Sequence, residues 1–303
     1  MPALRTQMAA GLRAACALPR TPRRLLAWAG GVALLLVALT TLVFLASPVR
    51  GLDSTALQGF QIGARSAEPA NVHRIAHSAM AAPVIMVTGI LAVIALVRRR
   101  PERALAGAAL VVGAGTTTEV LKHVLTHSRA VDSAAAYEVN AASYPSGHAT
   151  VTMSLALAAV IVVPRSVRPL AATLGAAWAV AVSFAMLILH RHFPSDLLAG
   201  YLVAAGWCLC VLAALRAAEG RLVRPPERAR GARRRAGRPL IGAAIMAAFA
   251  AALIAVGALN AAQSADERAT ATVVAAAIVV TVGLIAALGA VTGDSGEPRG
   301  RHG

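Results

Sequence analysis

Long, uninterrupted apolar runs decide most of what this 303-residue chain can fold into. A helix needs about 20 apolar residues to cross a bilayer, where no water satisfies a bare backbone. Eight stretches meet that need, at 25–47, 75–97, 104–122, 148–164, 169–190, 196–215, 239–260 and 270–291. Each is rich in Ala, Val, Leu, Ile and Gly, and none is broken by a run of charges. The expected fold class is therefore all-α, a polytopic membrane helix bundle. The first run exceeds the roughly 7–15-residue core of a signal peptide and reads as a retained span. Composition agrees. Hydrophobic residues make up 58% and charged residues 14%, against about 25% charged in a soluble domain. That balance excludes both one compact soluble globule and a disordered chain.

The net charge of +16 comes from 28 arginines and one lysine. These lie in short blocks between the apolar runs, the pattern that orients membrane helices rather than one that grips nucleic acid. With the N-terminus placed in the cytoplasm, 22 basic residues fall inside and 7 outside. This predicts cytoplasmic termini, an even number of spans and a plasma membrane of bacterial type. The stretch 217–238 is an arginine-rich linker, interrupted by Pro225 and Pro226 and suited to contact with anionic head groups. It divides the chain into a basic tail (1–24), a six-helix core (25–216), the linker, a C-terminal helix pair (239–291) and a short tail (292–303). Three cysteines, Cys16, Cys208 and Cys210, cannot build a disulfide framework. The latter two read as packing residues within an apolar run.

Three distant stretches reach the same outer face under this topology. The third span ends at Glu119-Val-Leu-Lys122, and its loop runs to Arg129. The fourth opens with Tyr144-Pro145-Ser146-Gly147-His148. The fifth ends near His190-Arg191-His192, and the sixth opens at Phe193-Pro194-Ser195-Asp196. Lys122 is the chain's single lysine, a compact charge suited to a phosphate oxygen. Ser146 is a natural N-cap, Gly147 permits close approach, and the amides of a helix start receive anions. Asp196, in a first turn, is stabilised by the helix dipole and stands where it could hold the ring of His192. His73 with His77, and His123 with His127, show a four-residue spacing, but zinc would require further ligands that the sequence does not supply. Glu119 is expected to pair with Lys122 at the helix end.

The joint pattern resembles the type 2 phosphatidic acid phosphatase family, part of the acid phosphatase and vanadium haloperoxidase superfamily. The first motif of that family is Lys, six residues, then Arg-Pro. It appears here as Lys122 to Arg129, with Ala130 in place of proline. The second, Pro-Ser-Gly-His, is intact from Pro145 to His148. The third is Ser-Arg, five residues, His, three residues, Asp. His192 and Asp196 match it, while Ala185 and Met186 hold the Ser-Arg positions. The resemblance covers about 75–216.

It implies a metal-independent phosphatase with no cofactor, acting on a lipid phosphate such as phosphatidate or a prenyl phosphate or diphosphate. The route would be a phosphohistidine at His192, with Asp196 holding the ring and His148 as general acid and base. Lys122, Arg129, Ser146 and Gly147 would bind phosphate. Losing a guanidinium at Met186 forfeits a charge-assisted bond of about 1.5–3 kcal/mol, which would slow turnover roughly 10- to 100-fold. Arg191 or His190 stands close enough to His192 to substitute. A degenerate lipid-phosphate-binding relative and a phosphotransferase to a lipid or glycan acceptor are the alternative readings.

Overall fold

The computed structural model describes residues 21–58, 70–126, 139 and 142–222. Eight helices fill them, with no strand among the described residues: α1 (Pro22–Leu45), α2 (Ser47–Gln58), α3 (Ala70–His77), α4 (Ala81–Val97), α5 (Pro101–Val124), α6 (Gly147–Val162), α7 (Arg168–Ile188) and α8 (Pro194–Leu222). The expected C-terminal pair at 239–291, the tail after it, residues 1–20 of the basic tail and residues 223–238 of the linker lie outside the described residues. Residues 22–24 of that basic tail instead open α1, and residues 217–222 of the expected linker continue α8.

Four helices, α1, α5, α7 and α8, are long and apolar enough to cross a membrane. The bent pair α3 and α4 makes a fifth span if counted as one. The all-helical, polytopic expectation therefore stands. The second span needs correcting: 75–97 is not one rod but two helices meeting at 50°. Pro83 gives the reason, since its ring excludes the carbonyl of residue 79 from a continuous helix. Ser78 occupies the break, donating to the Ile75 carbonyl at 2.6 Å and accepting from the Trp178 indole at 2.8 Å.

The centre of the bundle is α6. At about 1.5 Å per residue its 16 residues span roughly 24 Å, less than a bilayer core. Its neighbours compensate, because α5, α7 and α8 all pack on it. Twelve of the 16 residues are buried, so α6 meets protein on every side and needs no lipid-facing stripe. By contrast, α1 lies along α8 and leaves Leu34, Leu35, Val37 and Leu45 exposed. In α4, Ile85, Met86 and Val93 are likewise exposed. Such apolar surface is costly in water and at home in lipid.

The antiparallel order gives the bundle two unlike ends. One gathers the C-terminus of α5 and the N-termini of α6 and α8. The other gathers Arg98, Arg103, Arg165 and Arg168, with Arg98 donating to the Val162 carbonyl at 2.6 Å and Arg103 to the Ile161 carbonyl at 3.4 Å.

Candidate active site

At the first end, Ser146 caps α6, its hydroxyl oxygen accepting the Ala149 amide at 3.3 Å. The next amides, of Gly147 and His148, belong to the first turn, where a helix has no internal partners to offer. Lys122 arrives from the last turn of α5. A Cβ placed on Gly147 would lie 3.1 Å from the Lys122 Nζ and 3.6 Å from the Glu119 Oε1. A side chain here would press on that cation, and glycine leaves it close to the helix start. Lys122 and Glu119 form the expected ion pair at 2.7 Å. Below them, Thr118 and Thr150 share a buried hydroxyl contact of 2.9 Å that fixes α5 against α6.

His192 is brought in by the way α7 ends. His190 takes a left-handed conformation, φ 50°. Its amide donates to the Leu187 carbonyl at 3.0 Å, and the Arg191 amide donates to the Met186 carbonyl at 3.0 Å. This is the Schellman arrangement, which glycine usually occupies. It reverses the chain within three residues and delivers His192 and Pro194 to the start of α8.

The His192 ring is buried and faces His148, with ring centroids 5.7 Å apart and planes at 65°. Its Nδ1 stands 3.5 Å from the Asp196 Oδ2, an ion-pair separation too long for a strong hydrogen bond. Asp196 is completely buried, and the same Oδ2 accepts the Phe193 amide at 3.0 Å. The two histidine segments are joined through the backbone, Ser146 donating to the Asp196 carbonyl at 2.9 Å. Gly200 makes that contact possible: a Cβ there would come within 2.6 Å of the Ser146 carbonyl oxygen. His148 is partly buried among basic groups, with the rings of His192 and His77, Lys122 and Arg191 all acting on it electrostatically.

Of the residues singled out from the sequence, Lys122, Ser146, Gly147, His148, Arg191, His192 and Asp196 thus meet at one end of the bundle. Arg129 lies outside the described residues, as does His127. His123 spends its Nδ1 on the Glu119 carbonyl at 2.7 Å. Among the described residues no three His, Cys, Asp or Glu side chains converge as metal ligands would. Cys208 is buried and Cys210 exposed, both inside α8.

Three supports escaped the sequence reading. Tyr144, buried beside the Ser146 turn, shares a 2.7 Å contact with the Thr40 hydroxyl and meets the Phe44 ring edge-on at 5.5 Å. Gly200 is the second. The third is Asp53 of α2, whose carboxylate accepts both the amide and the hydroxyl of Ser195. A helical signal for α2 did exist: Ser47-Pro48 at its start, then Asp53, Ala56 and Leu57 spaced along one face.

A helical bundle with lipid-compatible flanks, and polar side chains collected around a buried helix start, defines an integral membrane protein with a polar site at one end of the bundle. Residues 78–219 match the family model described as the PAP2 superfamily. This segment belongs to that family, the type 2 phosphatidic acid phosphatases, which points to phosphatase-type activity on phosphate esters. No curated protein and no solved structure matches the chain.

Proposed function

We propose that this protein is a metal-independent lipid phosphate phosphatase working through a phosphohistidine on the extracytoplasmic face. The observation that carries the reading is the facing pair His148 and His192, the second with Asp196 at its Nδ1. Asp196 faces the Nδ1 side of the ring across 3.5 Å, orients it electrostatically and leaves Nε2 to attack phosphorus. As the N–P bond forms, the P–O bond to the lipid breaks, and the leaving oxygen takes a proton from His148. Lys122, the amides of Gly147 and His148, and Arg129 neutralise the equatorial oxygens. Water then attacks phosphorus and gives its proton to His148, and phosphate leaves as the P–N bond opens.

Met186 stands where the family carries an arginine, and here it is fully buried in the apolar core. The end of α7 supports Arg191 as the substitute. The bond from its amide to the Met186 carbonyl folds residue 191 back over the turn that holds residue 186. Arg191 is exposed and bears on His148 electrostatically. Arg191→Ala is expected to reduce phosphate release roughly 10- to 100-fold; unchanged release would remove Arg191 from the clamp.

The extracytoplasmic placement follows the arginine tally, since Arg98, Arg103, Arg165 and Arg168 sit at the opposite end. A lipid substrate fits a site at the end of helices whose flanks are apolar: the tails stay in the bilayer while the head group enters. The test is phosphate release, with chelator present, from phosphatidate, a prenyl diphosphate and phosphatidylglycerol phosphate. Wild type should release phosphate from at least one, and His192→Ala and His148→Ala should not. Release that survives His192→Ala would overturn the mechanism. A wild type inert on the whole panel would favour the non-catalytic relative, for which Met186 is the observation.

A further inference from the structure

Asp53 lies on α2, outside the matched residues 78–219. It is buried on the face of α2 that also buries Ala56 and Leu57, and α2 packs against α1 and α8. Its Oδ1 accepts the Ser195 amide at 3.0 Å, and its Oδ2 accepts the Ser195 hydroxyl. A helix start attracts carboxylates to its open amides. At α8 two carboxylates divide them. Asp196, from the helix itself, takes the Phe193 amide, and Asp53, 142 residues away in sequence, takes Ser195.

We propose that Asp53 is a positioning residue for the His192–Asp196 pair. It rests on the reading of His192 as the nucleophile. Ser195 is the immediate neighbour of Asp196, and its hydroxyl is a donor that any nearby carboxylate would draw. Asp53 engages that hydroxyl and the amide together, so Ser195 does not compete with His192 for the Asp196 carboxylate. The first turn of α8 is also held at the depth where Asp196 meets the Nδ1 of His192. The anion pocket is built separately, from Lys122 and the start of α6. Removing Asp53 should therefore slow phosphoryl transfer while leaving phosphate binding intact.

The experiment uses the full chain in mixed micelles, with phosphatidate and a prenyl diphosphate as substrates and inorganic phosphate as competitive inhibitor. The variants are Asp53→Asn, Asp53→Glu, Ser195→Ala and the double variant Asp53→Asn/Ser195→Ala, with His192→Ala as reference. A misplaced reacting group can lower turnover by about 100-fold. We expect kcat in Asp53→Asn and in Ser195→Ala to fall by about 10- to 100-fold, with inhibition by phosphate unchanged. The double variant should be no worse than the poorer single one, because both act through the same contact. Asp53→Glu, which keeps a carboxylate, should recover more kcat than Asp53→Asn, and it serves as the test variant if Asp53→Asn fails to fold.

A purely structural Asp53 would change the yield of folded protein and not kcat per folded molecule. The proposal is overturned by wild-type kcat in Asp53→Asn, by a matching loss of phosphate inhibition, or by multiplying effects in the double variant. Activity in His192→Ala would instead sink the reading on which it rests.

Discussion

The two ends of α6 both attract positive side chains, and the physics of the two gatherings is opposite. At the C-terminus, Arg98 and Arg103 donate to the last carbonyls, where the helix dipole is negative and cations belong. Those arginines are consumed by structure. At the N-terminus the dipole is already positive, yet Lys122 stands over Gly147, and Arg191 and three histidine rings lie nearby. Like charges collected at a positive helix end repel one another unless an anion joins them. The first end is a cap that is complete as it stands; the second, on the function proposed above, is completed by a phosphate. Glu119 sits in the meantime beside Lys122, a carboxylate near the place a phosphate would take.

Three substitutions sharpen or break that contrast. Gly200→Ala should have the largest effect, since its Cβ would press on the Ser146 carbonyl at 2.6 Å. Overpacking of this kind costs about 1–3 kcal/mol. It should also displace the start of α6, so thermal unfolding and inhibition by phosphate should both weaken. Arg98→Ala should cost about 1–2 kcal/mol of stability and leave kcat of the folded protein unchanged. A loss of kcat without a loss of stability would erase the distinction between the two ends. Glu119→Gln should have the smallest effect and the opposite sign. The pair it breaks is of the weak, partly exposed kind, so phosphate should inhibit about two- to threefold more tightly. Weaker inhibition would mean that Glu119 organises Lys122 rather than competing for it.

The parts legible in the sequence were those with a local cause. Apolar runs placed α1, α5, α6 and α7 and the start of α8 to within a few residues, because a bilayer demands length and hydrophobicity together, while α8 runs seven residues beyond its expected end at 215. Ser146 and Asp196 declared their helix starts through capping chemistry, which acts within one turn. The break at Ser78 had a local cause too, Pro83, but the surrounding apolar run masked it. Arg99 and His190 take left-handed conformations at the ends of α4 and α7 with no glycine to signal them. The remaining supports are long-range. Tyr144 finds Thr40 across 104 residues, and Ser195 finds Asp53 across 142. No periodicity or spacing carries such a pairing; it exists only once the helices have packed.

The central claim is that phosphorus passes through His192 among cations held at the start of α6. The direct test is to quench turnover of a phosphate-labelled lipid substrate in alkali, where phosphohistidine survives, and to map the label. The account predicts label on the peptide carrying His192, absent in His192→Ala and formed more slowly in His148→Ala, which lacks the acid for the first step. Full turnover with no label at His192, or label on another residue, would contradict it.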